Sequence, residues 1–317
     1  MSAVVVDGLR KTYGDVVAVD RIDLEIAEGE VLALLGPNGA GKTTTVEILE
    51  GYRRPDAGTV RVLGMDPRTG GRALRERIGV VLQEAGFEEQ FTPRELVRLH
   101  AGWYPRPRAV EEVLAMVGLE EKADARVRTL SGGQRRRLDL ALGIVGSPEM
   151  LFLDEPTTGF DPSARRRAWE LVDRLRDTGA TILLTTHYLD EAEHLADRLV
   201  VVDHGRVVAE GTAAQLAATA GLGAVISFRL PEDVPVADLP TLGEHVELTG
   251  AVVEVRTADP TADVHAVSGW AVQRGIELAD LTLTRPSLEQ VYLDLVDEAD
   301  QPGDADLAGA DVAEDEP

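Results

Sequence analysis

The segment Gly36-Pro37-Asn38-Gly39-Ala40-Gly41-Lys42-Thr43 constrains the fold of this chain more than any other. It follows an apolar, strand-like run, Val31-Leu32-Ala33-Leu34-Leu35, and leads into a helical stretch from Thr44 to Leu49. A Gly-x4-Gly-Lys-Thr loop set between strand and helix is built to cradle phosphate. Its glycines let successive backbone N–H groups converge on phosphate oxygens, where a Cβ would block the approach. The helix start adds unpaired amides and the positive end of its dipole. Lys42 can reach β- and γ-phosphates, and the Thr43 hydroxyl can ligate Mg²⁺. The loop predicts a nucleoside triphosphate site lined by Gly36, Pro37, Asn38, Gly39, Ala40, Gly41, Lys42, Thr43 and Thr44.

At 317 residues and 44% apolar, the chain is long enough for two domains with real cores. It has no cysteine, which excludes disulfides and thiolate metal sites. No apolar run approaches the roughly 18 residues that a membrane-spanning helix needs. The start, Met1-Ser2-Ala3-Val4-Val5-Val6-Asp7, lacks the basic region of a secretory signal, so a soluble cytoplasmic protein is expected. A net charge of −24 argues against a nucleic-acid partner and against direct insertion into anionic lipid. No basic residue follows Arg285, and residues 298–317 read as a solvated, disordered acidic tail. Lysine is scarce: Lys11, Lys42 and Lys122 are the three. One of them stands in the phosphate loop, where arginine would not serve.

Strand signals occur at Val4–Val6, Val16–Val19, Ile22–Ile26, Thr59–Leu63 and Gly79–Leu82. Between Pro93 and about residue 146 only helical periodicity is found, including an amphipathic stretch from Arg137 to Val145. Alternation then resumes with strand Met150–Leu153, helix Ala164–Arg176, strand Ile182–Thr186, helix Leu189–Ala196 and strand Leu199–Asp203. Alternating β and α implies a mostly parallel core sheet with helices on both faces, interrupted by an inserted helical subdomain. A helix at Ala213–Ala220 precedes a boundary at Gly221-Leu222-Gly223. Beyond it, strands at Val225–Leu230, Glu244–Thr249, Val252–Thr257 and Ile276–Thr284, with helices at Val264–Gln273 and Ser287–Val296, suggest a small α+β domain over 222–297. The first domain would span 1–218.

Two apolar strands end in reactive groups. Met150–Leu153 runs into Asp154-Glu155, and Ile182–Thr186 runs into His187. Ligands of open parallel sheets sit beyond the carboxyl ends of the strands, so these groups are expected to meet the phosphate loop in one crevice. Asp154 is placed to hold Mg²⁺ beside Thr43. Glu155 is placed to take a proton from an attacking water, and His187 to hydrogen-bond the γ-phosphate and fix that water.

Leu130-Ser131-Gly132-Gly133-Gln134 is a second anion-binding candidate, because Ser131 can cap the following helix and two glycines bare its amides. Arg135, Arg136 and Arg137 then occupy a first turn whose dipole disfavours cations by a few tenths of a kcal/mol each. Either a bound anion relieves them or they point to solvent. A cradle without its own lysine suggests that it serves another molecule's nucleotide.

Together these residues resemble the ATP-binding-cassette (ABC) family, whose signature sequence Leu130–Gln134 matches unbroken. The resemblance implies a P-loop NTPase cassette: the core sheet, an antiparallel β subdomain and the inserted helical subdomain. It further implies ATP and Mg²⁺ as cofactors, a head-to-tail pair of identical subunits, and a separate transmembrane permease that holds the subunit at the cytoplasmic face of the membrane. In that family Tyr13 stacks on adenine, Gln83 senses Mg²⁺ and γ-phosphate, and Asp161 touches the opposite subunit. Lys42, Glu155 and His187 become the catalytic set; Thr43, Gln83 and Asp154 the metal set; and Ser131, Gly132, Gly133 and Gln134 the cap on the partner's ATP. Phe160 stands where the family more often has leucine. The stretch Arg285-Pro286-Ser287-Leu288-Glu289-Gln290-Val291-Tyr292-Leu293 is similar to the C-terminal appendix of daunorubicin-resistance-type exporter ATPases, which implies export of a drug, lipid or other hydrophobic compound. An alternative is a soluble cassette ATPase acting on ribosomes or DNA.

Overall fold

The computed structural model describes residues 1–81, 86–220, 223–231, 234–243, 245–284 and 287–293. Strands β1 (Ser2–Tyr13) and β2 (Val16–Ala27) form a long hairpin. After β3 (Val31–Leu35), the phosphate loop and α1 (Lys42–Leu49), strand β4 (Ala57–Val62) pairs with β1 and completes an antiparallel sheet of order β2-β1-β4. The three strand signals before residue 27 are therefore two strands. Arg21, at φ 60°, and the register shifts of the hairpin break the alternation without ending β2.

A short helix α2 (Gly71–Arg75) leads to β5 (Ile78–Val81). Helices α3 (Pro93–Ala101), α4 (Val110–Met116) and α5 (Gly132–Ile144) follow with no intervening strand among the described residues. Alternation resumes with β6 (Met150–Asp154), α6 (Pro162–Asp177), β7 (Thr181–Thr185), α7 (Leu189–Leu195) and β8 (Arg198–Asp203). Strand β9 (Arg206–Gly211), which the sequence patterning did not suggest, returns antiparallel to β8, and α8 (Ala213–Thr219) follows.

The central sheet has the order β5-β6-β7-β3-β8-β9, parallel from β5 through β8. Every residue of β3 and β7 is buried, as expected of central parallel strands covered on both faces. On one face, Leu32, Leu34, Phe152, Leu183 and Val200 pack in a core with Val4, Val6, Leu9, Ile22, Leu24 and Ile26 of the hairpin and Val46, Ile48 and Leu49 of α1. Register pairs Asp154 with Thr185 and Thr185 with Leu34. The order and register thus put the ends of β6, β7 and β3 in one row.

The chain folds as two units, Met1–Thr219 and Ala220–Pro317. The second unit carries β10 (Ala224–Arg229), β11 (His245–Thr249), β12 (Val252–Thr257), α9 (Pro260–Arg274) and β13 (Ala279–Thr284). Its strands form an antiparallel sheet of order β11-β12-β10-β13 around a core of Ile226, Phe228, Val253, Val255 and Val267. A further helix covers 288–293, with Leu288 and Val291 buried.

Candidate active site

Between β3 and α1 the backbone closes tightly on its surroundings. A Cβ on Gly36 would lie 2.1 Å from the Val202 carbonyl oxygen, and one on Gly41 2.2 Å from that of Ala18. Gly41 also takes φ 98°, a left-handed value that side chains strain to adopt. It is the N-cap of α1, and no side chain caps that helix or places an acid in its first turn. The first amides of α1 therefore face the loop as an anion cradle of the kind that phosphate fits. Thr45 is buried and returns its hydroxyl to the Gly41 carbonyl at 2.9 Å, whereas Thr43 is exposed.

Lys42 Nζ donates to the carbonyl oxygens of Gly36 at 2.7 Å and Pro37 at 3.0 Å. Burial holds this ammonium below the usual lysine range, and the nearby charges of Glu155 and Asp154 oppose the shift. The loop lysine and the two carboxylates thus sense one another across the crevice.

Asp154 ends β6 and accepts a hydrogen bond from Thr185 Oγ1 at the end of β7. Glu155 leaves the strand at φ 48°, which costs a non-glycine residue about 1–2 kcal/mol. Its amide donates to the Thr185 carbonyl at 3.0 Å. Its carboxylate accepts from Thr158 Oγ1 at 3.1 Å and stands 3.3 Å from Nδ1 of His187. His187 is half-exposed, with its ring against Tyr188 at 4.0 Å. The predicted convergence of Lys42, Asp154, Glu155 and His187 on one edge is what the structure places there.

Tyr13 ends β1 as a partly exposed ring flanked by Lys11 and Arg53 at 5.4 and 5.5 Å. Asp161 caps α6, accepting from the amides of Ser163 at 2.9 Å and Ala164 at 2.8 Å. The Ser163 hydroxyl and these amides hold its carboxyl below the usual range. Gln83 lies outside the described residues. Phe160 is buried, and its ring is 3.8 Å from where a Cβ on Gly133 would sit.

Helix α5 starts at Gly132 rather than Arg137, because Ser131 and Gln134 form a capping box. Ser131 Oγ accepts from the Gln134 amide at 3.3 Å, and Gln134 Oε1 accepts from the Ser131 amide at 3.0 Å. No hydrogen bond or ion pair among the described residues joins Ser131–Gln134 to Gly36–Thr44. The three arginines divide. Arg135 donates to the Arg128 carbonyl at 3.3 Å and Arg137 to that of Gly118 at 2.8 Å. Arg136 turns inward to the end of β6. Backbone carbonyl oxygens and the carboxylates of Glu89 and Asp139 are the partners of these arginines, and only Arg135 falls within the first turn of α5.

Sequence reasoning missed Thr185, Ala18 and Arg136 as parts of the site. Asp139, an acid three residues beyond Arg136 on the otherwise apolar face of α5, was the available signal for the last of these.

Glycines that admit no Cβ, an uncapped helix start, and carboxylates at the end of β6, one strand removed from β3, define a P-loop nucleoside triphosphatase. The family profile described as "ABC transporter" matches residues 19–158, and a C-terminal domain profile of ABC-transporter-like proteins matches 224–287. The chain is 44% identical over 303 residues to the daunorubicin resistance ATP-binding protein of Streptomyces coeruleorubidus, covering 93% of this chain and 96% of the relative. It is 42% identical over 302 residues to the Nod factor export ATP-binding protein I of Paraburkholderia xenovorans, covering 93% and 97%. A dimeric ATP-binding cassette in a post-hydrolysis state with ADP and phosphate superposes with a TM-score of 0.61 at 26% identity, over 66% of this chain and 98% of that one. The chain belongs to the ABC transporter family and is one of its ATP-binding, ATP-hydrolysing subunits.

Proposed function

We propose that the chain powers export of a drug, lipid or other hydrophobic compound through a separate membrane permease, at the cytoplasmic face of the membrane. The supporting observation is identity above 40% to resistance and export subunits across 93% of the chain, which takes in the C-terminal unit as well as the cassette. The described residues contain no helix long and apolar enough to cross a membrane, so a permease would be another chain. These relatives give no support to a role on ribosomes or DNA.

Two copies would pair head to tail. Gly36–Thr44 of one would hold ATP, with Tyr13 against its adenine, while Ser131–Gln134 of the other caps the γ-phosphate and Asp161 lies at the seam. That a solved cassette relative is dimeric supports the pairing of two copies. Amides on the second subunit gain charge-assisted hydrogen bonds only while γ-phosphate is present, so ATP would close the pair and hydrolysis release it.

Mg²⁺ fits the donors present: one hydroxyl, Thr43, and one carboxylate, Asp154, with substrate oxygens completing the set. No group of three or more acidic or histidine ligands exists among the described residues, as suits an ion that is shared with phosphate. When bound, the ion would neutralise charge between the β- and γ-phosphates. Glu155 would accept the proton of the attacking water, and His187, 3.3 Å from it, would orient both carboxylate and γ-phosphate. Glu155→Gln is expected to keep ATP binding and abolish turnover; steady-state hydrolysis at the wild-type rate would remove Glu155 from this role.

A further inference from the structure

Arg136 has no part in the chemistry above, yet its side chain is only 9% exposed. Its guanidinium donates to the backbone carbonyls of three successive residues: Asp154, Glu155 at 2.7 Å and Pro156 at 3.2 Å. A fourth bond reaches Asp139 Oδ2, one turn along α5, at 3.0 Å. These carbonyls belong to the turn where β6 ends, where Pro156 has no N–H to continue a ladder and Glu155 takes φ 48°. A turn so strained persists only if its surroundings over-determine it. A planar, permanently charged fork can hold several oxygens at once; an ammonium is a single point.

We propose that Arg136 is a positioning residue: from the second turn of α5 it fixes the turn that aims the Glu155 carboxylate. The proposal rests on the reading of Glu155 as the group that activates water. It has a mechanical consequence. Ser131–Gln134 opens the helix that carries Arg136, so a displacement of that stretch is passed to the chain's own hydrolytic carboxylate. If Ser131–Gln134 caps the partner's nucleotide, one protomer's Arg136 links the two ATP sites of the pair. Burial holds the Arg136 guanidinium below its ordinary range and pushes the Asp139 carboxyl up to about 7, so the pair alone is a poor reason to bury either group.

The test uses the full-length chain and compares steady-state kcat and KM with equilibrium binding of trinitrophenyl-ATP. In Arg136→Met/Asp139→Leu both buried charges are removed together, so neither is left unpaired. We expect kcat to fall about 10- to 100-fold, as misplaced reacting groups do, with nucleotide affinity and KM within about twofold of wild type. Asp139→Asn, which leaves the carbonyl contacts in place, should stay within about threefold of the wild-type kcat. A folded double variant with wild-type kcat overturns the proposal, since Arg136 would then serve only to neutralise Asp139. A parallel loss of binding and turnover overturns it too. Should the double variant not fold by circular dichroism, Arg136→Lys decides: reduced kcat at unchanged KM supports the clamp, and unchanged kcat refutes it. Glu155→Gln run alongside separates the two failures. Turnover in that variant would sink the reading of Glu155, whereas an inactive Glu155→Gln beside a fully active Arg136 variant would sink only the clamp.

Discussion

Two glycines in the phosphate loop are expected to respond very differently to one added methyl group. Gly39 and Gly41 both take left-handed backbone angles, φ 88° and 98°. A Cβ on Gly39 meets nothing within 4 Å, whereas on Gly41 it would lie 2.2 Å from the Ala18 carbonyl oxygen and 3.5 Å from the Val19 side chain. Gly39→Ala should therefore cost only conformational strain, about 1–2 kcal/mol. Gly41→Ala adds the displacement of a backbone carbonyl by more than an ångström, an overpacking cost of about 1–3 kcal/mol. The sum for Gly41→Ala is about 2–5 kcal/mol, shared between folding and the loop shape that binds phosphate. Urea unfolding without nucleotide reads the first share, and equilibrium ATP titration reads the second. Each 1.4 kcal/mol in binding is about tenfold in Kd. Gly41→Ala should be worse than Gly39→Ala by about 1–3 kcal/mol summed over both assays. Equal totals would refute the claim that the hairpin backbone at Ala18 sets the shape of the loop.

Two further perturbations probe the crevice. Glu50, 8% exposed at the end of α1, has its carboxyl pushed up to about 8 by burial and by the charges of Asp154 and Glu47. The folded state therefore holds a proton that the unfolded state releases at about 4.5, so this stabilisation is complete below that pH and is lost as pH rises towards 8. At about 1.4 kcal/mol per pH unit, Glu50→Gln should gain on the order of 4–5 kcal/mol over wild type at pH 8.5 and almost nothing at pH 4.5. Urea unfolding at the two pH values checks this, with parallel behaviour of both proteins as the refuting result. Thr185→Val removes the hydroxyl donor to Asp154; it should raise the Mg²⁺ requirement of the ATPase about 10-fold or more, and an unchanged Mg²⁺ dependence counts against Asp154 as a ligand.

Much of the site was legible because its chemistry lies in contiguous runs. A phosphate loop is one segment, and a strand ending in Asp154-Glu155 announces its own position. What joins the segments was not legible. Thr185 is adjacent to Asp154 only through the β6–β7 register, and Ala18 closes on Gly41 only through the hairpin's packing. Among three consecutive arginines, Asp139 was the one local hint that Arg136 turns inward, and it did not reveal the carbonyl oxygens met there, which lie about twenty residues on. Strand β9 was missed for another reason. Its less exposed face is only Val207, Ala209 and Gly211 on an edge beside β8, and so small an apolar pattern is weak without its neighbour.

The central proposition is that two protomers enclose each nucleotide, the phosphate loop of one facing Ser131–Gln134 of the other. Because the chain has no cysteine, single cysteines at Asn38 and Ser131 in a Glu155→Gln background report that seam directly. Crosslinking between protomers should appear at saturating Mg-ATP and disappear with ADP. Its absence under Mg-ATP would contradict the shared site.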